Sequence, residues 1–214
     1  MARIDIKQVR PSKIILAGLN YREHAAELEM PVPDEPVIFI KPVSALIYND
    51  EAIIYPEYAS RVDYEAELAV VIGRRARNIT QQQVSAHIMG YTCLNDVTER
   101  DIQKKDGQWT RAKSFDTFCP VGPWVETEID DPDNLRIRLM VNGQLRQESS
   151  TSDFIFPVFY LVSFISRVMT LEPGDIVSTG TPPGVGPMYP GDAVEIDIEG
   201  IGTLKNKVVK ECNL

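Results

Sequence analysis

The sequence predicts a β-rich α+β fold, and three observations carry that expectation. Short apolar runs of strand character recur along the chain, among them "VIFIK", "ELAVVIG", "AVEIDI" and "TLKNKVVKE". The segment "LRIRLMVNGQLRQES" reads as two strands joined by Asn142-Gly143, the pair favoured in a type I′ hairpin turn. Only a few helical stretches are inserted among these strands.

In chain order, "SKIILAGLNY" is a short strand entering a turn. "NYREHAAELEM" is helical, with Asn20 placed to cap, Glu23 at the capping-box position and Ala25, Ala26 and Leu28 favouring helix. "MPVPDEPVIFIKP" is broken by prolines and ends in a strand. "VDYEAELAVVIG" is a single strand ended by Gly73, which puts Asp63, Glu65 and Glu67 on one face. "TQQQVSAHIMGY" reads as a helix opened by Thr80 and closed by Gly90. "YTCLNDVTERDIQ" starts as a strand and becomes a helix near Thr98. "PVFYLVSFISRVM" is a helix apolar all round, hence buried. Pro-Gly-Asp turns at 173–175 and 190–192 each precede a strand.

Composition narrows the functional classes. The 214 residues are 43% apolar and 25% charged, ordinary for a globular chain that buries a core. A net charge of -9 argues against a nucleic-acid or anionic-membrane surface, since both require an excess of Lys and Arg. Cys93, Cys119 and Cys212 show no C-x-x-C spacing, so reduced thiols and a cytoplasmic location are expected. "MARIDIKQVR" lacks the apolar stretch of a signal peptide. The longest apolar run, "FIFPVFYLVSFI", falls short of the ~20 residues that span a bilayer.

Four groups of side chains are candidates for chemistry. Glu65 and Glu67 stand side by side if they share a strand, although a solvated strand face looks the same. They run into a segment apolar on both faces, and a third acid, Asp96, lies where another strand meets a helix. Three gathered carboxylates resist ionising unless a cation sits among them. Oxygen ligands select Mg²⁺, Mn²⁺ or Ca²⁺, and two histidines without Cys/His spacing argue against zinc.

His24 and Glu27 share a helix face, either as a base with its orienting carboxylate or as a surface pair of little weight. Lys113, between Trp109 and Phe115, is an ammonium suited to a developing oxyanion or a lysine snorkelling from an aromatic patch. "STGTPPGVGP" exposes backbone N–H groups able to hold a carboxylate or phosphate, or is simply a turn; it matches neither a P-loop nor a Rossmann turn. His87, near a predicted helix C-terminus, has only a structural reading.

In order along the chain, "NYREHAAEL", "VIFIKP", "DYEAELAVVIG", "LNDVTERDIQ", "WTRAKSFDTFCP", "VNGQLRQ" and "STGTPPGVGP" resemble the motifs of the fumarylacetoacetate hydrolase superfamily. The resemblance covers about residue 14 to the C-terminus. It implies a mixed β-sandwich roll, with residues 1–50 a short segment bearing a lid-like helix and 51–214 the catalytic part of one structural unit. It also implies a homodimer and a Mg²⁺ or Mn²⁺ ion held by Glu65, Glu67 and Asp96. His24 and Glu27 map onto the dyad that activates water in family hydrolases, and Lys113 onto the family's active-site lysine. Lys41, Arg100, Gln103, Gly180 and Thr181 map onto positions around the substrate. Two features depart from eukaryotic-type relatives: "QKKDGQW" is short, and Tyr64 stands where histidine is frequent.

The activity so implied is divalent-metal-dependent C–C bond cleavage, by hydrolysis or decarboxylation, of a small acylpyruvate-type 2-oxo acid through its enolate. Within the same resemblance stands a 2-hydroxyhepta-2,4-diene-1,7-dioate isomerase or 5-oxopent-3-ene-1,2,5-tricarboxylate decarboxylase. A non-catalytic metal-binding dimer is the expectation from another class.

Overall fold

A computed structural model describes residues 3–211, so Cys212 lies outside it. The largest sheet has eight strands, built around the spatial sequence Cys119–Glu126, Ile88–Asn95, Ala66–Ile72, Ile176–Ser178, Ile14–Gly18 and Val37–Lys41. A five-stranded sheet runs Gln144–Ser150, Arg136–Val141, Ala193–Ile198, Gly202–Lys210 and Ala52–Tyr55. Three short strands, Gly186–Met188, Val62–Tyr64 and Thr98–Glu99, make a third sheet. Parallel and antiparallel pairs occur in both larger sheets, which gives the strand-rich, mixed α+β fold that the sequence predicts.

The strand Ala66–Ile72 is buried at every residue, and it explains where the core sits. Leu68, Val70 and Ile72 share one apolar cluster with Ile137, Leu139, Ile196 and Leu204 of the five-stranded sheet. Ala69 and Val71 face a second cluster with Ile6, Val9 and Ala45. Burial on both faces makes this segment an unbroken apolar run instead of an alternating one. Each such Leu, Val or Ile contributes about 1.5–3 kcal/mol by leaving water.

The hairpin forms as expected, with Asn142 and Gly143 at φ 52° and 74° joining Arg136–Val141 to Gln144–Ser150. Other expectations need correction. Helix Val158–Val168 buries one side, through Val158, Leu161, Val162 and Ile165, while Val168 is exposed; it is not buried all round. The helix begun at Thr80 ends as a 3₁₀ turn at His87, and Ile88–Asn95 is a strand. Gly90 is therefore no helix stop. A Cβ there would stand 2.3 Å from the Glu126 carbonyl oxygen of the neighbouring strand, so close strand approach requires the glycine.

Nor does Asn20 cap the first helix, Arg22–Glu27. Its side chain points inward, accepting from Phe156 N–H at 2.8 Å and donating to the Thr179 carbonyl at 2.8 Å. Asp153 instead accepts from the Glu23 N–H at 2.9 Å, one of the amides a helix start leaves open.

Candidate active site

The segment expected as one strand is two, Val62–Tyr64 and Ala66–Ile72, interrupted at Glu65. Side-chain amides meet the backbone at the break. Asn95 Oδ1 accepts from the Glu65 N–H and Gln147 Oε1 from the Ala66 N–H, both at 3.0 Å. Ala66 pairs with Asn95 across the sheet, so Glu65 and Asp96 become neighbours, joined by an Asp96 N–H to Glu65 carbonyl bond of 2.8 Å. This register brings together carboxylates some thirty residues apart. Glu65, Glu67 and Asp96 are all buried, and each offers an oxygen within 4.8 Å of the others. Asp63, Glu65, Glu67 and Asp96 line a cavity of about 600 Å³.

The two glutamates are electrostatic opposites. Burial opposes ionisation of Glu65, yet the Lys113 ammonium and the Arg100 guanidinium outweigh it and bring the carboxyl down to about 2. Lys113 Nζ donates to Glu65 Oε2 at 2.8 Å and also to Asp96 Oδ2; Arg100 Nη2 donates to Glu65 Oε1 at 2.6 Å. Glu67 has no cation of its own among the described residues. Burial, and then the charge of Asp96, push its carboxyl well above the usual range, against a hydroxyl bond from Ser178.

The cavity wall carries the other candidates. His24 Nδ1 lies 2.9 Å from Glu27 Oε2 on the short first helix. The glycine loop does hold carboxylates on its N–H groups, but they are the protein's own. Gly184 N–H donates to Glu27 Oε1 at 3.0 Å, and Gly180 N–H to Glu67 Oε2 at 2.9 Å. Gly184 has φ 91°, and a Cβ there would meet the Arg146 carbonyl oxygen at 2.4 Å. Thr181 Oγ1 accepts from Gln147 Nε2 at 2.9 Å, which leaves its hydroxyl hydrogen free to donate into the cavity.

Residues 13–209 match the family model of the fumarylacetoacetate (FAA) hydrolase C-terminal domain. The chain belongs to the fumarylacetoacetate hydrolase family. It is 58% identical to an uncharacterized protein of Methanocaldococcus jannaschii, over 97% of this chain and 87% of that one. A mitochondrial oxaloacetate tautomerase of Bos taurus is 44% identical over 94% of this chain and 67% of its own length. A crystal structure of 2-hydroxyhepta-2,4-diene-1,7-dioate isomerase from Mycobacterium marinum superposes with a TM-score of 0.89 at 49% identity, covering 96% of this chain and 77% of that one.

The family's metal is tested by the atoms at the cavity floor. Asp96 Oδ1 is buried with no hydrogen-bond partner; Lys41 Nζ stands 2.7 Å away, an ion pair without hydrogen-bond alignment. Three buried, converging carboxylates fit a hard divalent cation.

His24, Glu27, Lys113, Arg100, Gln103 and Thr181 line the same cavity as the three carboxylates. Lys41 and Gly180, expected around the substrate, do not. Lys41 is fully buried beside Asp96 and donates to the Val97 carbonyl at 2.9 Å, while Gly180 sits behind Glu67. Lys113 finds Phe39, 5.1 Å from its Nζ, instead of the expected Phe115, which packs on Phe118. Sequence reasoning missed Asn95, Gln147 and Ser178. Asn95 and Ser178 end apolar strands and Gln147 lies in a polar one, and only the register shows what each serves.

Proposed function

We propose that the chain is a divalent-cation-dependent enzyme that enolises a 2-oxo acid, shifting a proton between its keto and enol or diene forms. The carrying observation is the three-carboxylate floor in one cavity with the His24–Glu27 pair. The isomerase and tautomerase names of its relatives support proton transfer as the reaction.

Glu65, Glu67 and Asp96 would hold Mg²⁺ or Mn²⁺, which supplies Lewis-acid polarisation of a carbonyl when bound. Glu27 accepts from His24 Nδ1 and fixes the ring tautomer, so Nε2 is the free base that takes and returns the substrate proton. Gly184 keeps Glu27 in place. Lys113, inside the floor, sets its positive charge against the negative charge that develops on the substrate oxygen. Leu28, Met30, Phe39 and Trp109 line the cavity with apolar surface.

A second reading keeps the same floor and has His24 deprotonate a water that cleaves the C–C bond of an acylpyruvate. The side-chain exposure of His24, 12%, favours it, since water reaches the ring. The acidic net charge supports the absence of nucleic acid or anionic membrane among the partners, and we place the protein in the cytoplasm as a homodimer.

The test is a panel of oxaloacetate, acylpyruvates and dienedioates with Mg²⁺, Mn²⁺ or chelator, read by solvent-deuterium incorporation and mass spectrometry of products. Metal-dependent deuterium uptake without C–C cleavage is the expected result. Metal-dependent cleavage would move the assignment to the second reading. No turnover of any 2-oxo acid, with metal raising only the melting temperature, would overturn both.

A further inference from the structure

The strand Gln144–Ser150 is an edge of the five-stranded sheet, and its side chains are exposed or half-buried except at Gln147, which is 1% exposed. A register shift turns that residue inward. Leu139 pairs with Gln147 and Met140 with Leu145, so Arg146 is the extra residue of a bulge. The glycine loop packs on this bulge, where a Cβ at Gly184 would stand 3.5 Å from Gln147 Cγ. A side-chain amide at this depth costs free energy unless its donors and acceptor are paired.

They are paired, and every partner belongs to the site. Oε1 accepts from the Ala66 N–H at 3.0 Å, at the strand break beside Glu65. Nε2 donates to Thr181 Oγ1 at 2.9 Å and to the Pro182 carbonyl at 2.7 Å. These partners fix which way the amide faces. A flip would set Nε2 against the Ala66 N–H and Oε1 against the Pro182 carbonyl, donor on donor and acceptor on acceptor. Two backbone groups therefore decide the direction of the Thr181 bond: Thr181 accepts, and its hydroxyl hydrogen is left for the cavity it lines. An apolar side chain would fill the same space. It would leave the Thr181 hydroxyl free to rotate and both backbone groups without this partner.

We propose that Gln147 is a positioning residue that holds the Thr181 hydroxyl as a donor to a substrate oxygen and ties it to the strand break beside the carboxylate floor. The inference rests on the proposed function for placing a substrate oxygen in this cavity. Gln147 is not on the cavity wall, so it acts through Thr181.

The test is calorimetric binding of oxalate to the Mn²⁺-saturated protein, since oxalate presents the adjacent oxygens of a 2-oxo acid head and cannot enolise. Gln147→Leu and Thr181→Val are each expected to weaken oxalate about tenfold, the worth of one hydrogen bond. Combined, they are expected to stay within about twofold of Thr181→Val alone, because Gln147 then has no hydroxyl to orient. Gln147→Glu keeps an acceptor for the Ala66 N–H and replaces Gln147→Leu if that variant fails to fold. Its added charge acts in both backgrounds, so its cost should still be about tenfold smaller when combined with Thr181→Val. A merely structural Gln147 would lower the melting temperature and weaken oxalate equally in both backgrounds, which would overturn the inference. So would unchanged affinity in Gln147→Leu, or no oxalate binding by the wild type. Binding needs no turnover, so the coupling intact in a protein inactive on every 2-oxo acid refutes the proposed function alone. Its absence in an active one refutes the role of Gln147 alone.

Discussion

The floor of the cavity and its wall are built on different principles. The floor carboxylates sit on or beside two central strands, at 6%, 1% and 0% exposure for Glu65, Glu67 and Asp96. The His24–Glu27 pair rides a six-residue helix, and the Glu27 side chain is 42% exposed. So short a helix has little stability of its own. It is held by contacts from outside: Asp153 on the Glu23 N–H, Gly184 on Glu27, and Arg22 on the Phe154 carbonyl. The proposed cation site therefore belongs to the central strands and the proposed proton handling to a part that can be changed separately.

That separation is open to attack by substitution. Glu67→Ala and Asp96→Ala are expected to abolish turnover, by more than about 1000-fold, because both the cation and the carbonyl polarisation are lost. His24→Ala is expected to slow proton transfer by about 10²–10⁴-fold while Mn²⁺ affinity stays within twofold of wild type, as read by steady-state kinetics beside calorimetry. If His24→Ala also removed the metal, floor and wall would be one unit.

A smaller effect follows from the opposite behaviour of the two glutamates. Glu67 holds its proton above the usual carboxylate range, so without a cation the folded chain binds more protons there than the unfolded one. Its influence makes metal-free stability fall as pH rises past that range. Saturating Mn²⁺ must displace this proton, so the rise in Tm on adding Mn²⁺ grows with pH over the same window. Glu65 works the other way, and its contribution is lost as pH falls from the usual range toward about 2. A Tm increment from Mn²⁺ that is flat with pH would contradict this account of Glu67.

The smallest effect belongs to the wall's support. Gly184→Ala puts a Cβ 2.4 Å from the Arg146 carbonyl oxygen at φ 91° and should destabilise by about 1–3 kcal/mol. It should lower kcat by loosening Glu27, with Mn²⁺ binding unchanged by calorimetry.

Much of this was legible in the residues. Asn142-Gly143 announced its hairpin because the turn demands left-handed backbone, and His24–Glu27 announced its pairing through helical spacing. Asp96 was legible as an acid at a strand end, and the resemblance to a family joined it to the glutamates. The strand break at Glu65 was hidden, since a run of extended residues looks alike whether or not it changes sheet. Gly90 misled for a related reason: a glycine after a helix start signals a stop, whereas here a neighbouring strand's carbonyl claims its space. The glycine loop offers either an anion cradle or a plain turn in the sequence, and in the structure its N–H groups hold Glu27 and Glu67.

The central claim is that Glu65, Glu67 and Asp96 hold a divalent cation, and Mn²⁺ titration by calorimetry addresses it most directly. The account predicts one site per chain in the wild type and none in a folded Glu67→Ala variant. No binding by the wild type, or equal binding by both proteins, would contradict it.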